Sequence, residues 1–135
     1  MILDTSVLVA AADRRDAAHR ACADLLAGWA GPLFVPVLVA GEAAWMIERR
    51  AGLMAEYRFI AELAAGSLTV GAIEPGDWLR IGELVEEYAD LRLGTVDASI
   101  VSVAERLGIT TIATLDHRHF SVVRPAHTER FTLVP

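Results

Sequence analysis

The chain contains no lysine: all 12 of its basic residues are arginine. That absence excludes phosphate-loop nucleotide chemistry, Schiff-base chemistry and any mechanism resting on an ammonium point charge. Cysteine is nearly absent as well. Cys22 stands alone among 135 residues, so neither a disulfide framework nor a thiolate zinc site is available. Within AHRACADLL it is expected as a small core residue of a helix. No apolar run approaches about 18 residues, so no membrane span is expected. The first residues lack a basic leader and carry Asp4 inside the first apolar run, unlike a secretion signal. The cytoplasm is therefore the expected compartment. With a net charge of −6 there is no global basic field to draw in nucleic acid. The G-x-S-x-G turn of serine hydrolases is missing. A haloacid-dehalogenase-type phosphatase would need a second aspartate two residues after Asp4, where Ser6 stands. A phosphoreceiver reading suffers from the missing lysine.

What is present is an apolar, alternating chain. Its 54% hydrophobic content and its length fit one globular domain over residues 1–135 with a sizeable core. MIL, LFVPV (33–37), LTVGAI (68–73) and TTIATL (110–115) read as strands, and FTLV near the end as an edge strand. Helical spacing is expected over 16–29, 38–51, 53–65, 78–90 and 97–107, the last stopped by Gly108. Strands alternating with helices imply a three-layer α/β fold, with a mainly parallel central sheet flanked by helices.

Four acids lie where acids are costly. Asp4 ends MIL, Glu42 interrupts VLVAGEAAWMI, Asp97 opens DASIVSVAERLG and Asp116 ends TTIATL. Any one could be a helix cap or turn residue. For Glu42, however, the helix neighbours Leu38, Val39, Trp45 and Met46 are all apolar, which predicts an inward-facing carboxylate. In open α/β sheets ligands bind beyond the carboxyl ends of strands, so Asp4 and Asp116 converge if their strands are neighbours. Clustered carboxylates repel by about 4 kcal/mol per pair at 4 Å and an effective dielectric near 20. They are expected to raise one another's pKa, and a divalent cation removes the cost. An all-oxygen set suits magnesium, or manganese as substitute, and the matching chemistry is phosphodiester hydrolysis.

The segments MILDTSVLVA, VAGEAAWMI, LRLGTVDASIVSVAERLG and IATLDHRHFSVVRP resemble, in order and spacing, those of the PIN-domain nucleases, and within them the toxins of the VapBC toxin–antitoxin type. The resemblance implies a PIN-like fold and a magnesium-dependent endoribonuclease, dimeric and inhibited by a small cognate antitoxin protein. It also implies that Asp4, Glu42, Asp97 and Asp116 are the catalytic, metal-binding carboxylates. Thr5 or Ser6 would support the first acid or its water. Arg118 would contact a phosphate of the RNA substrate, and Asp90 is read as a secondary or structural acid. Two alternatives remain open at this level: a non-catalytic PIN-like module binding RNA or protein, and a structure-specific DNA nuclease. His117 and His119 are expected to be solvated rather than ligands. Trp29, Trp45 and Trp78 are expected to pack or to form a dimer face.

Overall fold

The structure is a computed structural model that describes residues 1–135. Its centre is β1 (Ile2–Leu3), whose two residues are fully buried. Each contributes about 1.5–3 kcal/mol of apolar burial, and a strand buried on both faces reads as an unbroken apolar run. Four more strands follow: β2 (Phe34–Pro36), β3 (Thr69–Gly71), β4 (Thr111–Ala113) and β5 (Thr132–Val134). They form one sheet in the order β3-β2-β1-β4-β5, and every pairing is parallel. FTLV is an edge strand, as its sequence suggests.

The helices are α1 (Thr5–Ala12), α2 (His19–Gly28), α3 (Val37–Ala51), α4 (Leu53–Ala65), α5 (Pro75–Glu87), α6 (Thr95–Leu107) and α7 (His117–Val122). A 3-10 turn at Ala89–Leu91 precedes α6. Helix α1 packs on both α2 and α3, α3 packs on α4, and α5 packs on α6. Gly66 and Gly108 adopt left-handed φ of 76° and 66° just past α4 and α6, where a side chain would be strained. Four segments differ from the sequence expectation, among them α2, which begins at His19 rather than at residue 16. α1 and α7 were not expected at all, and α5 begins at Pro75 rather than Trp78. The earlier start follows from a capping box between Glu74 and Asp77, with Pro75 opening the helix.

A 28-residue apolar cluster forms the core and includes Cys22, fully buried as expected. The tryptophans do not join it: Trp29, Trp45 and Trp78 are 36%, 59% and 50% exposed. On α3 the inward residues are Val39, Ala40, Ala43 and Ile47. Trp45 lies two residues from Ala43 and from Ile47, which turns it to the opposite side. No helix is long and apolar enough to cross a membrane.

Candidate active site

The strand order reverses at β1. From there the chain builds outward through β2 to β3, then returns to place β4 on the other side. The crevice between the carboxyl ends of β1 and β4 is thus the topological switch point of the sheet. Asp4 follows β1 directly and caps α1. Its amide donates to Ala113 O across the crevice at 2.9 Å. Asp116 follows β4 and caps α7, its Oδ1 accepting from the Arg118 amide at 3.1 Å.

Asp4 is buried, and its carboxylate makes no cap bond to α1. Instead Oδ2 accepts from the hydroxyls of Ser6 at 2.5 Å and Thr114 at 2.8 Å. Ser6 in turn accepts from the Leu115 amide, and Thr114 from the Asp116 amide. These two hydroxyls tie the first turn of α1 to the end of β4. Glu42 comes from α3 and is half-buried at the border of its inward stripe, with exposed Trp45 three residues on. The expectation of a fully inward carboxylate is corrected to that extent. Thr5 donates to Glu42 Oε2 at 2.5 Å, so Thr5 supports the second acid and Ser6 the first.

Asp97 lies in the first turn of α6, two residues inside a helix that begins at Thr95. Burial raises its pKa above the ordinary aspartate value, and the charges of Asp4 and Asp116 add to the rise. A hydrogen bond from His119, Nδ1 to Oδ2 at 2.7 Å, opposes it. His119 is only 8% exposed, so the expectation of a solvated histidine fails. Its burial follows from α7, whose turn carries His119 and Phe120 inward while His117 stays exposed. Arg118 is exposed and reaches His119 Nε2 with Nη2 at 3.0 Å. Asp90 is exposed in the 3-10 turn and takes no part in this network.

The structure therefore gathers Asp4, Asp97 and Asp116 at the switch point, with Glu42 joined through Thr5. Each carboxylate has one oxygen held by a protein donor, while its other oxygen accepts no protein hydrogen bond. No three of the side chains lie close enough together to ligate one ion in this arrangement. The open atoms are all carboxylate oxygens, which fit a hard cation such as magnesium or manganese. His119 offers no free nitrogen, since both are engaged. A concavity of about 710 Å³ lies elsewhere, between α1, α2 and α4, and holds none of the four acids. Chemistry rather than volume marks this crevice as the candidate site. Sequence reading missed Thr114 and His119. Thr114 sits in an apolar strand run, and His119 meets Asp97 only through a side-chain bond between α7 and α6, 22 residues apart in sequence.

Residues 1–124 match the family model described as PIN domain. Over all 135 residues of both chains the sequence is 36% identical to ribonuclease VapC26 of Mycobacterium tuberculosis (strain ATCC 25618 / H37Rv). The fold is similar to the crystal structure of Mycobacterium tuberculosis VapC20, described as a sarcin-ricin loop cleaving toxin. The TM-score is 0.84 at 21% identity, covering 95% of this chain and 98% of that one.

Proposed function

The chain belongs to the PIN-domain family, and from that premise we propose that it is a metal-dependent endoribonuclease acting as the toxin of a toxin–antitoxin pair. The observation that carries this reading is the set of three carboxylates at the switch point with Glu42 joined to them through Thr5, each with one oxygen anchored and one open. Asp4, Glu42, Asp97 and Asp116 would hold magnesium, or manganese in its place. When bound, the ion supplies charge neutralisation, a more acidic water and stabilisation of the developing phosphate charge.

The chain's own residues prepare that site. Ser6 and Thr114 orient Asp4, Thr5 orients Glu42, and His119 orients Asp97. Arg118, exposed beside the crevice, contacts a phosphate of the RNA and supplies locally the positive charge that the whole chain lacks. The intact acid set opposes a purely binding role. The protein works in the cytoplasm as a homodimer and is neutralised by a small antitoxin protein.

The test is incubation of the purified chain with structured RNAs and DNAs, with magnesium and with excess chelator. Magnesium-dependent RNA cleavage is expected, lost in Asp97→Asn and Glu42→Gln proteins of native circular dichroism. Full cleavage in chelator, or by Asp97→Asn, overturns the assignment; cleavage of DNA alone overturns the substrate. Expression should arrest growth, and co-expression of the small protein encoded beside the gene should relieve the arrest.

A further inference from the structure

The bond pattern around His119 fixes which way its protons point. Arginine carries donors only. Since Arg118 Nη2 lies 3.0 Å from His119 Nε2, that ring nitrogen must accept. The ring then carries its proton on Nδ1, and Nδ1 donates to Asp97 Oδ2 at 2.7 Å. The imidazole is buried between an exposed guanidinium and a carboxylate that is 24% exposed. Its own helix is pinned on both sides: Phe120 is 1% exposed, and the Val123 amide donates to His119 O at 3.1 Å.

We infer that Arg118, His119 and Asp97 form a positioning array, in which Arg118 sets the tautomer of His119 and His119 holds the Asp97 carboxylate in the orientation that leaves Oδ1 open for the cation. The inference rests on the four-acid reading above. The array inverts a familiar arrangement. In many metal sites a carboxylate behind the histidine orients a histidine ligand. Here the histidine stands behind and the carboxylate faces the ion. Asp97 needs such a device because, unlike Asp4 and Asp116, it receives no hydroxyl or backbone amide. His119 is a positioning residue on this account, with no nitrogen left to touch metal or substrate.

The test is titration of the whole chain with Mn2+, reading free ion by electron paramagnetic resonance, with RNA cleavage measured in parallel. The variants are His119→Asn, His119→Gln, Arg118→Met and Asp97→Asn. An asparagine amide falls near the place of Nδ1, whereas a glutamine amide falls nearer that of Nε2. His119→Asn should therefore stay within about threefold of wild-type Mn2+ affinity, and His119→Gln should lose about tenfold or more. Arg118→Met changes an exposed position, keeps the fold, and should lose about two- to fivefold. Wild-type affinity in His119→Gln, equal losses in the asparagine and glutamine variants, or no loss in Arg118→Met each overturns the array. If the array fails while Asp97→Asn loses Mn2+, the four-acid reading stands. If Asp97→Asn binds Mn2+ as wild type does, that reading falls and the array with it.

Discussion

Thr114 gives the sharpest test of how the site is held. Its side chain is fully buried, donates to Asp4 Oδ2 at 2.8 Å and accepts from the Asp116 amide at 3.0 Å. Thr114→Val preserves shape and removes both bonds. A hydrogen bond to a charged acceptor contributes about 1.5–3 kcal/mol, and the exposed Asp116 amide can turn to water at little cost. The expected loss is about 2–3 kcal/mol. A domain of this length has an unfolding entropy of about 0.3 kcal/mol/K, so the melting temperature should fall by about 7–10 °C. Thr114→Ser is the control. It keeps both bonds and removes one buried methyl, for about 1 kcal/mol and about 3–4 °C. Thermal melts in chelator measure both. A second melt with saturating Mn2+ should show a smaller metal-induced rise for Thr114→Val, because Asp4 has lost a restraint. If Thr114→Val melts no lower than Thr114→Ser, the hydroxyl does not hold Asp4, and the account of the crevice is wrong at its centre.

Other outcomes follow from the remaining acids. Asp116→Asn should preserve the cap on α7 and leave the metal-free melt unchanged while reducing the rise on adding Mn2+. Asp116→Ala should cost a further ~1 kcal/mol as the cap is lost. The raised pKa of Asp97 means that the native state binds more protons than the unfolded chain. Metal-free stability should therefore fall as pH rises from the ordinary aspartate range through the raised value, and stay reduced above it. Denaturant titrations of Asp97→Asn across that window should show a flatter profile. Far from the site, Asp77 is buried, and burial alone would raise its pKa. Hydrogen bonds from Arg106, the Glu74 amide and Ser102 outweigh burial and lower it. Arg106→Met should destabilise the protein by about 3 kcal/mol, read from chemical unfolding at neutral pH, without reducing Mn2+ affinity.

The strands, five of the helices and the neighbourhood of the acids were legible because apolar runs and helical spacing mark them directly. α1 was not, because TSVLVAAA is apolar on every side and five of its eight residues are buried. A helix without a polar face has no 3.6-residue signal and reads as a continuation of the strand before it. α7 is too short, at six residues, to show a period. A cap at Asp116 was an open reading, but it alone does not phase His119 and Phe120 toward the interior. Asp4 and Asp116 were tied together by the guess that their strands are neighbours, which the β1–β4 pairing bears out. The partnership of Asp97 with His119 spans two helices and has no local signature. Of the two roles expected for the tryptophans, their exposure removes packing in the core and leaves an external face.

The central position of β1 has a consequence in time. Its two residues are among the first to be synthesised, yet they pair with β4, and Asp4 waits 110 residues for Thr114. At about 5–20 residues per second, translation separates the two by about 5–20 s. Throughout that interval the crevice has only one wall. Asp4 and Asp116 cannot come together until β4 and α7 have left the ribosome, so the crevice assembles only near the end of synthesis.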